Sequence, residues 1–300
     1  MLYRHKMKWI RITALSLLLA SCEKDVDIEL DPREESLVVD ASIENGGVPF
    51  VILSRSLGYF SKIDPQVLSA SFVRNAVVHV SDSRSKARLV QDSMTLPGGN
   101  RLVYYTMDPR SPQAVIGRTD TRYVLEIEAG GRTYTASTTI PPFKRVIDSL
   151  WWEPLKGALE PKDSAKALLM LRGTDKPGLG SYVRYFTRVN REPFLPGFNS
   201  VYDDQIIDGT TYTVTVDKGI DRNGDFEPDD AFFKRGDTVT LKLCDIDKQT
   251  YDFWRTLEFT YQSVGNPFSN PVKVLGNVSN GALGCFSGYA AQFRTLVIPK

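Results

Sequence analysis

A period-two alternation of apolar and polar residues fills most of this chain, and that pattern commits it to β-sheets with one covered face. Its clearest instance is Tyr123-Val124-Leu125-Glu126-Ile127-Glu128, then Gly130-Gly131, then Thr133-Tyr134-Thr135-Ala136-Ser137-Thr138, which reads as a hairpin around a Gly-Gly turn. Further strands are expected at 37–43, 50–54, 75–80, 87–90, 146–152, 167–172, 181–189, 211–216 and 237–244. Short strands at fairly regular spacing, with no helical period between them, imply an immunoglobulin-like β-sandwich over residues 37–142. Pro141-Pro142 cannot continue a paired strand, so a boundary is expected there, with a second β-rich domain over 143–300. Residues 192–198 carry two prolines and a glycine and read as a loop. One helix is expected near the C-terminus, over about 247–264, capped by Asp245 or Asp247 and stopped by Gly265-Asn266-Pro267. Tyr251, Trp254 and Tyr261 fall on one face of it, which suits packing against a sheet. After the helix, 272–278, Asn280-Gly281 and 283–290 read as a closing hairpin.

The beginning of the chain follows a different rule. Arg4, Lys6, Lys8 and Arg11 precede a short apolar run, 12–20, which ends in Ser21-Cys22. A basic start, an apolar stretch too short to span a bilayer and small residues before a cysteine are the parts of a lipoprotein signal peptide, residues 1–21. Cys22 is then the first mature residue, diacylated on sulfur and acylated on its amine. At roughly 0.8 kcal/mol per buried methylene, two or three acyl chains give lasting attachment where one is marginal. Residues 22–36 are rich in Asp and Glu and read as a solvated tether.

Composition narrows the function. Four of the 37 Lys and Arg lie in the leader, which contains no acid, so the mature body has 33 cations against 36 Asp and Glu. A mildly acidic body with no basic stripe argues against nucleic acid and against electrostatic membrane binding. His5 leaves with the leader, so His79 is the one histidine of the mature chain. Ser-His and Cys-His triads, HExxH zinc sites and multi-histidine metal centres would all rest on a single imidazole within a strand pattern, and no GxSxG, P-loop or GxGxxG is present. A non-enzymatic protein is expected.

Three sets of side chains are candidates for a site. Tyr59, Phe60, Phe194, Phe198 and Tyr202 fall in expected loops, where aromatic rings either stack on a ligand or partner or fold back as minor cores. Asp221, Asn223, Asp225, Glu227 and Asp229 begin like a calcium loop, with oxygen ligands at alternate positions. Phe226 then stands where an EF-hand has glycine, so the segment is either a different calcium site or an acidic turn. Calcium is accordingly the only cofactor the sequence suggests. Cys244 and Cys285 either pair, closing a loop of about forty residues worth roughly 3–4 kcal/mol, or remain two buried thiols.

One resemblance is specific. Lys234-Arg235-Gly236-Asp237-Thr238-Val239, Tyr251-Asp252-Phe253-Trp254, Asn266-Pro267-Phe268 and Leu275-Gly276-Asn277 through Gly284-Cys285-Phe286-Ser287-Gly288-Tyr289 resemble the C-terminal signature of a Bacteroidota lipoprotein family, domain of unknown function 4249. Leu37-Val38-Val39, Ser54-Arg55-Ser56 and Tyr123-Val124-Leu125 are similar to its N-terminal half. The resemblance implies an outer-membrane lipoprotein working beside a TonB-dependent receptor, and it transfers no catalytic residue; the acidic, lysine-containing stretch that follows Cys22 looks like the export signal that sends such lipoproteins to the cell exterior. Two roles are therefore expected in order: ligand capture or capping for such a transporter, or a structural or assembly part of an envelope complex.

Overall fold

The Gly-Gly hairpin forms where the alternation places it. In a computed structural model that describes residues 35–57, 65–96, 99–155, 165–222, 227–263 and 272–300, strands β7 (Thr121–Ala129) and β8 (Arg132–Ile140) pair in antiparallel register. Gly130 and Gly131 both have positive φ, which the two central positions of a tight hairpin turn require. Tyr123, Leu125 and Ile127 point into a core that Tyr134, Ala136 and Ile140 share. The expected signal peptide, Cys22 and nearly all of the expected tether lie outside the described residues.

The same alternation builds β1 (Leu37–Glu44), β2 (Phe50–Arg55), β3 (Val77–Ser81), β4 (Lys86–Arg88), β5 (Val90–Thr95) and β6 (Arg101–Thr106). Later in the chain come β9 (Arg145–Pro154), β10 (Lys166–Asp175), β11 (Tyr182–Val189), β12 (Leu195–Asp203), β13 (Thr211–Val216), β14 (Phe233–Lys234), β15 (Thr238–Ile246) and β16 (Leu283–Val297). The fold is mainly β. Among the described residues two α-helices accompany the strands: α1 (Pro65–Ser71), which the sequence does not announce, and α2 (Lys248–Ser263), which falls where it is expected. Asp247 caps α2 by accepting the Thr250 N–H at 2.8 Å on Oδ1. Its Oδ2 accepts from Thr139 N and Thr138 Oγ1 at 2.8 and 2.9 Å, so one carboxylate starts the helix and ties it to β8.

Strand β16 joins the molecule. Its first half, to Tyr289, runs parallel to β1, and its second half, from Ala290, runs antiparallel to β15. One sheet of eight strands results, in the order β12-β11-β15-β16-β1-β2-β6-β5. A four-stranded sheet, β4-β3-β7-β8, covers one end of it over the first core. A second, built on β10 with β9, β13 and β14 alongside, covers the other end over the second core. Helix α2 lies on the opposite face of the long sheet, where Tyr251 meets Cys244, Tyr289 and Ala291. Two cores thus follow the two halves read from the sequence, yet Glu35–Lys300 forms one compact unit. A boundary at Pro141-Pro142 would cut a continuous sheet, because the last strand completes the first lobe. The parallel β1–β16 pairing also goes beyond a self-contained immunoglobulin-like domain over 37–142.

Gly284 makes that junction. Its φ is +101°, and a Cβ there would sit 1.9 Å from the Val39 carbonyl oxygen, so no side chain fits. Asn277 clamps the same strand, donating from Nδ2 to Phe286 O at 2.8 Å and accepting the Phe286 N–H at 2.8 Å. Residues 272–278, expected as a strand, therefore hold β16 through a side chain and form no ladder of their own.

Two other expectations change. Residues 192–198, read as a loop, contribute the start of β12, because β12 is the edge of the sheet and Pro196 has no inward ladder bond to lose. A register shift between Arg184 and Phe186 absorbs the extra residues around Gly197. Cys244 and Cys285 do not form a disulfide; both are free and buried. Cys244 stands opposite Ala291 on β16, six residues beyond Cys285, a separation of about 20 Å along a strand against the ~7 Å that a disulfide spans. Burial pushes both thiols up to about 12. Reductant is expected to leave the melting temperature unchanged, and a thiol reagent to label these two cysteines only after denaturation. Labelling in the native state would contradict this packing.

Candidate binding site

The second lobe is not closed at one end. Between its two sheets lies a cavity of about 390 Å³. Leu241 and Leu243 of β15, Val183 and Tyr185 of β11 and Leu171 of β10 form its floor, all turned inward by the alternation of their strands. Tyr212, Val214 and Val216 of β13 form one wall. Tyr202, at the end of β12, and Ile206 and Ile207, in the loop that follows, make the mouth. Ile206 is 94% exposed and Tyr202 48% exposed, so this rim presents apolar surface to water. Tyr185 and Tyr202 stack at 6.2 Å between centroids. Burial raises the phenol pKa values of Tyr185, Tyr202 and Tyr212, so all three stay protonated, and the Tyr202 hydroxyl donates to Asn199 O at 3.1 Å.

One charged group stands at the inner end. Arg145, first residue of β9, is 2% exposed and lines the cavity. Its Nε donates to Asp175 Oδ1 at 3.1 Å, and its backbone N–H to Asp245 Oδ1 at 3.3 Å. Its Nη2 has no acceptor among the described residues, and Asp175 Oδ2 and Asp245 Oδ2 have no donor there. Buried polar atoms are almost always paired, so three orphans around one guanidinium single out this corner. Burial pushes the Asp245 carboxyl up to about 7.

The loop that carries Ile206 also carries acids. Carboxylate oxygens of Asp175, Asp204 and Asp208 lie within 4.8 Å of one another. Asp204 accepts from Gly180 N at 3.1 Å and Ser181 N at 2.8 Å, and Asp208 accepts from Gly178 N at 2.7 Å. These donors hold the Asp204 carboxyl below its ordinary range, and with Arg145 they already partner much of the cluster's charge.

A larger groove, about 630 Å³, lies between the outer face of β7–β8 and residues 275–279. It is shallower in chemistry: Asn277 and Arg122, two of its polar groups, are already bonded to Ser137. The smaller cavity, with apolar walls and an orphaned donor, is the better site.

Of the three aromatic residues singled out from the sequence that are among the described residues, only Tyr202 reaches this cavity. Phe194 is on the other face of the long sheet, 5.9 Å from the Phe293 ring, with Arg188 at 4.6 Å and Lys242 at 5.9 Å. Phe198 lies within β12, its carbonyl accepting from Gln262. Tyr59 and Phe60 lie outside the described residues, as do Asn223 and Asp225. The other three expected calcium ligands do not converge. Asp221 is exposed, Asp229 pairs with Lys166 at 2.8 Å, and Glu227 caps the short 3₁₀ turn Pro228–Ala231. The carboxylates that do converge are Asp175, Asp204 and Asp208. His79 sits in β3 opposite Arg88 and Glu126, away from the cavity. The alternation of 211–216 already puts Tyr212, Val214 and Val216 on one face. Nothing local marks Arg145, whose role depends on partners 30 and 100 residues away.

Among the described residues no helix is long and apolar enough to cross a membrane. A family model described as "Domain of unknown function (DUF4249)" matches residues 23–294. No curated protein matches the chain.

Proposed function

We propose, for a chain that belongs to the DUF4249 family, a non-enzymatic role on the outer face of the outer membrane: held there through a lipidated Cys22, it captures a ligand for a TonB-dependent transporter, or caps it. The observation that carries this reading is the apolar, tyrosine-lined cavity whose rim exposes Ile206 and Tyr202. Its walls supply shape, phenol donors and one guanidinium, which is what binding needs. Nucleophilic catalysis needs a reactive group within hydrogen-bond reach of a base, and the cavity lining pairs no serine, cysteine or histidine in that way. The anchor and the address are read from residues 1–36, and the transporter from the family resemblance.

The test is purification of the lipidated protein from its own host in mild detergent, with mass spectrometry of what accompanies it. A stoichiometric TonB-dependent receptor is the expected companion. Recovery of only secretion or assembly factors would overturn this reading and favour a structural part of an envelope complex.

A further inference from the structure

We propose that the cavity takes an uncharged, largely apolar small molecule carrying one hydrogen-bond acceptor, its body between Tyr185, Tyr202 and Val214 and its acceptor toward the Arg145 guanidinium. This rests on reading the cavity as the capture site and names the class of ligand it captures.

Three observations lead there. The lining is aliphatic and phenolic over the floor and both walls, so most of a ligand's surface would meet carbon. At the inner end Arg145 is 2% exposed with Nη2 unpartnered among the described residues, and a buried donor left unmade is unfavourable, so a ligand that supplies the acceptor gains relative to one that does not. The third observation decides the charge. A buried arginine in an apolar cavity suggests a carboxylate ligand, but Arg145 already faces Asp175 at 3.1 Å, with Asp204 and Asp208 grouped on Asp175. Asp203 is the one carboxylate in the lining and Arg145 the one cation. Lys144 and Lys176, the neighbouring ammonium groups, point at the carbonyls of Gly178 and Phe143. An anionic head would therefore enter a corner where carboxylates outnumber the guanidinium, and like charges at close range repel. A neutral carbonyl, ether or hydroxyl oxygen meets the same donor without that repulsion.

The experiment uses the mature chain, residues 22–300 expressed without the leader and carrying Cys22→Ser, which has neither the apolar leader nor the sulfur that lipidation requires and so avoids micelles. Three naphthalene probes are titrated by fluorescence: 6-propionyl-2-dimethylaminonaphthalene, neutral with a ketone; N-phenyl-1-naphthylamine, neutral without a carbonyl; and its 8-sulfonate, which is anionic. The ketone probe is expected to bind at least about tenfold more tightly than the sulfonate. Ile206→Asp and Tyr202→Ala, both at the exposed mouth, are expected to weaken the ketone probe by about tenfold. Arg145→Lys keeps the charge and removes the guanidinium fork, so it should weaken the ketone probe more than N-phenyl-1-naphthylamine. If Arg145→Lys does not fold, the two mouth variants decide. Equal or tighter binding of the sulfonate overturns the neutral class, and mouth variants that leave the ketone probe unchanged overturn the site. Either failure leaves recovery of a barrel partner standing as evidence for a cap, whereas loss of the barrel with intact probe binding removes the transporter and keeps the ligand class.

Discussion

Glu258→Ala is expected to destabilise the protein by about 3–5 kcal/mol, the range for breaking a buried ion pair from one side. Glu258 is 4% exposed on the face of α2 that meets the long sheet. Its Oε1 accepts from Arg222 Nη2 at 2.7 Å, its Oε2 accepts the Ser200 N–H at 2.9 Å, and the Ser200 hydroxyl donates to Oε1. Arg184 donates from Nε to the same hydroxyl oxygen at 3.1 Å and from Nη1 to Tyr289 Oη at 3.0 Å. Trp254 donates to that phenol as well, at 3.1 Å, and its ring lies 3.4 Å below the Arg184 guanidinium. Alanine would leave the buried Ser200 N–H without its acceptor and Arg222 without its counter-charge, with only backbone carbonyls such as Gly197 O at 2.9 Å left to its Nη2, while Glu258→Gln keeps the side chain's size and one acceptor oxygen and should lose less. Urea unfolding of the two variants beside the wild type reads the difference. A loss below about 1 kcal/mol for alanine would mean that water replaces the carboxylate and that the network does not hold the helix.

That network explains which parts of the fold could be read in advance. The helix was legible because its signals are local: Asp247 as a cap, a Gly265-Asn266-Pro267 stop, and aromatic residues at helical spacing over 251–261. The β7–β8 hairpin was legible for the same reason, as two alternating runs around glycines. The parallel seam of β1 with β16 was not, because Val39 and Gly284 meet across 245 residues and no local pattern fixes that register. Its trace in the sequence was indirect. Gly276, Asn277 and Gly284, part of the block that resembles the family signature, are the residues that close the seam: a Cβ on Gly276 would come within 2.4 Å of the Gly284 oxygen. The cavity was legible in one residue. Tyr202 stood out as an aromatic in an expected loop, but Phe194 shared that signal and went to the other face, since an eight-residue offset on a strand with a bulge does not keep one side.

Asp245 should give the protein a stability that falls as pH rises from about 4 to about 7. Its carboxyl is 1% exposed, and burial raises its pKa to about 7, against which the backbone N–H groups of Arg145 and Lys144 act only in part. In the unfolded chain the same group titrates near 4. Between these values the native state holds a proton that the unfolded state has released, so each added unit of pH favours unfolding, and the effect is complete above the folded pKa. Across the full window the contribution is on the order of 4 kcal/mol. The groups facing Asp245 do not reverse the sign: Arg145 lowers its pKa and Asp175 raises it, and burial exceeds both. Asp82 and Asp204, whose carboxyls are held below the ordinary range, lose their contributions as the medium becomes more acidic than this window, so they do not mask the slope. Asp245→Asn keeps an oxygen for the Arg145 N–H and cannot ionise. Its urea midpoint is expected to change much less than that of the wild type between pH 4.5 and 8, with the variant the more stable of the two at pH 8. Parallel pH profiles would show that Asp245 ionises freely in the folded protein, and would place its orphaned oxygen in contact with water that the present packing excludes.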